Sequence, residues 1–190
     1  MIDLRALTDD DCELLFRWRR EPEVDRWMSD LPAHSLDEHR FWFDHFRADL
    51  DVRGWIIAYN GAPAGFLSLT GVRSRHRRAD WGWYIGEPSA RGRGAGRAAQ
   101  ALGLDVAFDG LGLEKVCAEV LADNDVALKA QAAAGFRREG YRRRHVFKDG
   151  QFRDVVLLAI LADEWRERRE AVRRGLAGAN LIAAYSAVTL

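Results

Sequence analysis

Three glycines at alternate positions, Gly92, Gly94 and Gly96, stand where the hydrophobic period of the chain changes. Before them RRADWGWYIG, residues 77–86, alternates as a strand does. After them RAAQALGLDVAFDGLG, residues 97–112, sets Ala98, Leu102 and Val106 on one helical face. A strand, a glycine turn and a helix in that order aim backbone N–H groups at a common point, where the helix N-terminus completes an anion site. Glycine lets the backbone approach such an anion with no Cβ in the way. The same segment is also compatible with a glycine-rich turn that holds nothing.

Two common nucleotide loops do not fit. A Walker loop ends in Gly-Lys-Ser/Thr, whereas Gly96 is followed by Arg97 and Ala98. A dinucleotide fingerprint spaces its glycines G-x-G-x-x-G and opens a βαβ unit; here the run is Arg91-Gly92-Arg93-Gly94-Ala95-Gly96 and antiparallel strands precede it.

The flanking sequence places this turn inside one domain. IDLRAL reads as a first strand, and Thr8 offers an N-cap with Asp9, Asp10 and Asp11 in the first turn of a helix that stops before Pro22. Ser35 and Glu38 have capping-box spacing ahead of a second, aromatic helix. GWIIAYNGAPAGFLSLTG predicts two strands joined at Asn60-Gly61. EKVCAEVLAD predicts a buried strand, and NDVALKAQAAAGF a short helix closed by Gly135. A last hairpin turns at Lys148-Asp149-Gly150. The order is strand, two helices, three antiparallel strands, helix, strand, helix, two strands. This is an α+β domain over residues 1–165, with a charged helical extension over 166–190 that packs on the domain or on a second copy, as in a homodimer.

Bulk properties narrow the class. The 29 basic residues balance 29 acidic ones, so no whole-molecule field draws nucleic acid or anionic lipid. Cys12 and Cys117 are far apart and lack metal-ligand spacing, which suits a reducing cytoplasm and excludes a disulfide framework. The N-terminus has no apolar h-region, and the final apolar run is too interrupted to span a bilayer. We expect a cytoplasmic protein with no metal, no membrane partner and no nucleic acid.

Downstream of the glycine turn, Asn124-Asp-Val-Ala127 is followed across a helix by Gly135-Phe136. Together, Arg-x-x-Gly-x-Gly and Asn-x-x-Ala…Gly-Phe resemble the GNAT superfamily of N-acetyltransferases over roughly residues 1–163. The resemblance implies the GNAT fold: a central mixed, mostly antiparallel sheet of about seven strands flanked by helices. It also implies acetyl-CoA as cofactor. Main chain at Ile85 and Gly86 would pair with the pantetheine arm. Amides from Arg91 through Gly92, Arg93, Gly94, Ala95 and Gly96 would hold the pyrophosphate, Asn124 would touch the arm, and Arg93 or Arg97 would reach the 3′-phosphate.

The front half, WRREPEVDRWM and HSLDEHRFWF, resembles the amino-sugar-nucleotide acetyltransferases of pseudaminic acid biosynthesis and flagellin glycosylation. That likeness implies transfer to the 4-amino group of UDP-4-amino-4,6-dideoxy-N-acetyl-β-L-altrosamine. A uracil and a deoxy sugar need aromatic faces, and a diphosphate needs cations. Trp27, Met28 and Trp81 are candidate faces, and Arg19, Arg20 and Arg26 candidate cations, although most of the seven tryptophans are core candidates. The run Arg73–Arg78 reads as a solvated hairpin tip.

Acyl transfer needs a base for the amine. Glu119, an acid among apolar strand residues, is the first candidate, and burial there would raise its pKa; pairing with an arginine is the alternative. Asp80 is the second candidate. Cys117 shares the Glu119 face by period two and reads as a buried thiol. Where the superfamily usually has a tyrosine acid, seven residues after the motif asparagine, this chain has Gln131. A glutamine delivers no proton but can hydrogen-bond the sulfur, leaving water or Tyr141 as the donor. Protein N-terminal or aminoglycoside acetylation on the same fold, and a non-catalytic CoA-binding regulatory domain, are the competing readings.

Overall fold

The computed structural model describes residues 1–182. Seven strands form one sheet in the order β1-β2-β3-β4-β5-β7-β6. They are β1 (Ile2–Ala6), β2 (Val52–Tyr59), β3 (Ala62–Thr70), β4 (Arg78–Ile85), β5 (Lys115–Leu121), β6 (Arg137–Lys148) and β7 (Gln151–Leu161). Six α-helices accompany them: α1 (Asp11–Arg19), α2 (Pro22–Asp25), α3 (Leu36–Ala48), α4 (Ala95–Asp105), α5 (Asp125–Ala134) and α6 (Ala162–Gly178). The mixed α+β architecture is the expected one.

Both hairpins turn where the sequence predicts. Asn60 and Gly61 have φ of 52° and 81°, and Asp149 and Gly150 have 51° and 76°. Two successive positive φ values give a turn whose twist matches that of the strands it joins. Period-two alternation then sorts the side chains to two faces of the sheet. On one face Ile57, Leu67, Leu69, Val116 and Ile160 pack with Ala98, Leu102 and Leu104 of α4, Leu128 of α5 and Trp165 of α6. On the other, Ile56 and Phe66 pack with Cys12, Leu15 and Trp18 of α1 and Phe43 of α3. Each fully buried large side chain contributes roughly 1.5–3 kcal/mol, so the two layers fix the sheet between them.

Three local expectations change. Helix α1 begins at Asp11, and Asp10 at its N-cap makes no side-chain cap bond. Instead, Asp11 Oδ2 accepts from the Thr8 N–H (2.8 Å) and the Thr8 hydroxyl (3.1 Å), while Arg5 binds both its oxygens. Burial pushes the Asp11 carboxyl up, but these bonds outweigh it and hold the pKa below the ordinary value. Pro22, read as a stop, occupies the first turn of the four-residue α2, where its missing N–H costs nothing. Ser35 does cap α3, accepting the Glu38 N–H at 3.1 Å, but the Glu38 carboxylate bonds the His34 N–H.

The boundary expected after residue 165 falls within α6. Trp165 is fully buried and donates to Asp105 of α4 at 2.9 Å, and Arg173 pairs with Asp105 at 3.0 Å. The described part of the extension thus packs on its own domain; residues 183–190 of it lie outside the described residues. No described helix is long and apolar enough to cross a membrane.

Candidate active site

β4 and β5 run parallel, while the other described strand pairs are antiparallel. Their pairing ends at Trp81↔Ala118, yet β4 continues to Ile85 and β5 to Leu121. Past that point β4 stays paired with β3 and β5 with β7. The two facing edges therefore part into a wedge with unpaired backbone on both walls. Such edges accept an extended, amide-bearing ligand as an added strand.

The glycine turn closes the open end of the wedge. Gly92 and Gly94 have φ of 72° and 82°, values that L side chains adopt at a cost, and Gly94 is the N-cap of α4. Gly96 serves packing instead: a Cβ there would lie 2.8 Å from Trp83 Cζ3. The backbone N–H groups of Gly92 through Arg97 donate to no acceptor among the described residues. Open donors at a helix N-terminus suit a pyrophosphate. The run is one residue shorter than expected, because the Arg91 N–H bonds the Pro88 carbonyl at 3.1 Å. Arg93 and Arg97 are exposed and make no ion pair among the described residues, so both remain available to a further phosphate.

Arg91 also alters the expected role of Ile85 and Gly86. Its Nε donates to the Ile85 carbonyl (3.0 Å) and its Nη2 to the Gly86 carbonyl (2.8 Å). Those two acceptors are occupied, whereas the Gly86 N–H has no described partner. Asn124 is the N-cap of α5, its Oδ1 accepting the Ala127 N–H at 3.1 Å. This bond explains the Asn-x-x-Ala spacing and leaves the Asn124 amide nitrogen free of described partners. Gln131 is buried on α5 with Oε1 unpartnered, and Gln100 on α4 is buried with both amide atoms unpartnered. Buried amides without partners cost about 1–3 kcal/mol each unless a ligand or water satisfies them.

Glu119 is the first residue of β5 past the last β4 pair, so it stands at the fork of the wedge. The burial that the sequence suggested is not there. Its side chain is 48% exposed and accepts from Arg142 Nη1 at 2.6 Å. The reason is that α1 and α3 cover the β2–β3 part of this face and leave β5 open. Asp80, on the same face, is exposed beside Arg78 at 3.6 Å. Cys117 is half-buried, and burial, reinforced by Asp80, pushes its thiol pKa up. Tyr141 is 55% exposed and donates to Asp154 at 2.6 Å, which holds its proton more tightly.

The expected acceptor-binding residues scatter. Trp81 lies in the core, stacked on Phe136 at 5.0 Å, because its strand position faces α4. Arg20 donates to the Ala33 carbonyl at 2.9 Å. Arg26 pairs with Glu23 (3.3 Å) and lies 4.6 Å from the Trp27 ring centroid, and Arg153 approaches the same ring at 5.5 Å. Guanidiniums thus already occupy the Trp27 ring. Met28 is half-buried beside it. Arg19 meets Asp30 at 3.2 Å and keeps Nη1 buried without a partner.

Sequence patterning did not single out Tyr84. It lies on β4 past the fork, on the face covered by α1 and α3, and burial raises its phenol pKa strongly, with Arg19 opposing. Its only sequence signal is its parity with Asp80. Arg153 and Lys148 were likewise not singled out, since their bonds to Arg26 and Asp25 span most of the chain. Among the described residues, no group of three or more His, Cys, Asp or Glu is placed to hold a metal ion.

Comparison with known proteins agrees with this geometry. Residues 2–137 match the acetyltransferase (GNAT) domain family. The chain is 26% identical over 164 residues to the spermidine N(1)-acetyltransferase of Escherichia coli K12, covering 86% of this chain and 88% of that one. It is 28% identical over 173 residues to a putative ribosomal N-acetyltransferase of Bacillus subtilis, covering 86% and 93%. Among solved structures, the spermidine N-acetyltransferase of Vibrio cholerae in complex with CoA and spermine superposes with a TM-score of 0.81 at 24% identity, over 87% of this chain and 98% of that one. The curated relatives found are polyamine, ribosomal or uncharacterized acetyltransferases. They do not include the pseudaminic acid enzyme that the front half of the sequence suggested.

Proposed function

The chain belongs to the GNAT acetyltransferase family and is an acetyl-CoA-dependent N-acetyltransferase; on that premise, we propose that it acetylates a primary amine of a small polyamine-like acceptor. The observation that carries this reading is the state of the segment expected to grip a nucleotide diphosphate. Arg20 and Arg26 are committed to neighbours, and Trp27 already holds two guanidiniums. Carboxylates remain instead. Glu21 and Glu87 make no ion pair among the described residues. The Glu21 N–H bonds the Trp18 carbonyl at 3.2 Å, and Glu87 follows Gly86, which rests on the Trp18 ring. The two acids thus lie on segments that meet at Trp18, and a chain with two ammonium groups would find partners there. The likeness to spermidine acetyltransferases supports the same class.

Acetyl-CoA, when bound, supplies the activated acyl group. The Gly92–Arg97 amides would hold its pyrophosphate, the wedge edges would orient its arm, and the Gln131 amide would offer the sulfur a hydrogen bond. Glu119, paired with Arg142, takes the proton that the attacking amine must lose, directly or through water, a contribution of about 10²–10⁴ in rate. Burial raises the Tyr84 phenol pKa, so it stays protonated. With a thiol pKa near 8.5, a thiolate departs without an acid.

One observation favours the amino-sugar nucleotide as a second reading: Arg19 Nη1 is buried and unpartnered, a donor suited to an acceptor oxygen. Thiol release from acetyl-CoA with spermidine, spermine, an aminoglycoside and a UDP-4-amino sugar separates the readings. We expect the highest kcat/KM with a polyamine. A higher kcat/KM with the UDP-sugar overturns the proposal, and CoA binding without turnover of any amine indicates a regulatory domain.

A further inference from the structure

Helix α2 is one turn long, and the turn after it continues its bonding, with the Trp27 and Met28 N–H groups on the Val24 (3.1 Å) and Asp25 (2.9 Å) carbonyls; a helix this short is marginal without tertiary partners. The β6–β7 hairpin supplies those tertiary partners. Lys148, with its side chain 1% exposed, donates Nζ to the Asp25 carbonyl at 2.7 Å and to Asp25 Oδ1 at 3.0 Å. Arg153, paired with Val146 on the same hairpin, donates Nη1 to the Arg26 carbonyl at 2.9 Å. Cations at a helix C-terminus also meet the negative end of its dipole.

Arg153 does more than cap. Its Nη2 binds the carboxylate of Asp123, the residue immediately before the α5 cap Asn124. Its side chain is 12% exposed, and its guanidinium lies 5.5 Å from the Trp27 ring centroid. One rigid, planar fork therefore spans two half-sites, the acceptor-side segment 22–28 and the turn that opens the cofactor motif. A guanidinium held this way transmits position, because neither end can shift without breaking or turning the other bond.

We propose that Arg153 is a positioning residue that couples cofactor binding at the Asp123–Asn124 turn to order in the acceptor-side segment 22–28. The inference rests on the CoA site described above. Ligand that orders the turn fixes Asp123, Asp123 fixes the fork, and the fork fixes the C-terminal carbonyl of α2. The Lys148 ammonium bonds only Asp25 among the described residues and has no part in the coupling.

Amide hydrogen exchange of the full chain, with and without CoA, tests this directly. In the wild type, CoA slows exchange in segment 92–98 and also in segment 22–28, the latter by about threefold or more. In Arg153→Met and in Asp123→Asn, slowing persists at 92–98 and is lost at 22–28. In Lys148→Met, segment 22–28 exchanges faster in both states but still responds to CoA. If Arg153 were only glue, Arg153→Met would behave like Lys148→Met, and that result overturns the proposal. A wild type whose segment 22–28 ignores CoA overturns it as well. Absence of slowing at 92–98 in the wild type instead overturns the cofactor site. Should Arg153→Met fail to fold, Asp123→Asn carries the test, because it removes the far end of the fork and leaves α2 untouched.

Discussion

Gly86 rests against the indole of Trp18, so closely that a Cβ at that position would overlap the ring. The contact joins the end of β4, where the wedge opens, to the last turn of α1. Gly86→Ala must move either the ring or the strand end, and overpacking of this kind costs about 1–3 kcal/mol. We expect a lower melting temperature and weaker CoA binding by calorimetry. Trp18→Leu in the same chain should restore part of both, since contacting residues are non-additive. Equal Tm and Kd for Gly86→Ala and wild type would show that the contact sets neither.

Glu119 stands at the fork with Arg142 on its carboxylate. If it removes the amine proton, Glu119→Gln lowers kcat by about tenfold or more and leaves the KM for acetyl-CoA unchanged. Arg142→Gln keeps the carboxylate and should retain most of the turnover. Full activity in Glu119→Gln assigns the base elsewhere, with Asp80 next in line.

Turn chemistry was legible in the sequence because it is local. Asn60-Gly61, Asp149-Gly150 and Gly135 each sit where a positive φ is required, and the sequence shows the residue that tolerates it. The glycine loop was legible for the same reason. What escaped depends on partners far along the chain. Pro22 marks where α2 starts, but what ties the other end of α2 to the domain comes from Lys148 and Arg153, separated by 123 and 127 residues from the carbonyls they bind. Thr8 looked like a helix cap, but the Asp11 carboxylate competes for its N–H and hydroxyl. Glu119 looked buried because its strand neighbours are apolar, whereas exposure is set by which helices cover that face. Trp81 could be placed in the core only once its parity with Ala79 and Trp83 was tied to α4.

Gln131 presents a buried carbonyl oxygen with no partner among the described residues. Gln131→Leu fills nearly the same volume and removes that unsatisfied group, so the ligand-free protein should gain about 1 kcal/mol. Turnover should fall, by less than in Glu119→Gln, because the amide no longer reaches the departing sulfur. Thermal melts without ligand and steady-state rates read the two effects separately. A variant that is both less stable and fully active contradicts the assignment on both counts.

His39 lies in α3 at 4% exposure, with its ring between Phe16 (5.5 Å between centroids) and Trp42 (5.1 Å) and Nε2 unpartnered. Burial lowers its pKa, helped by the Arg19 charge and opposed by a bond to the Cys12 backbone. The folded state therefore binds this proton less readily than the unfolded chain, whose histidine titrates near 6.5. Between the two values the unfolded state carries more protons, so stability rises with pH across that window. The contribution of the neutral ring is complete above about pH 6.5 and is lost as the pH falls toward the lowered folded value, with a limiting slope of about 1.4 kcal/mol per unit. Asp11, whose folded pKa is lowered, acts in a separate window below about pH 4. Denaturant melts from pH 7.5 to 5 should thus show the wild type losing stability through the histidine range. His39→Phe, which keeps the aromatic packing and cannot titrate, should be flat there by comparison. Parallel pH profiles for the two proteins would remove His39 as the source of the slope.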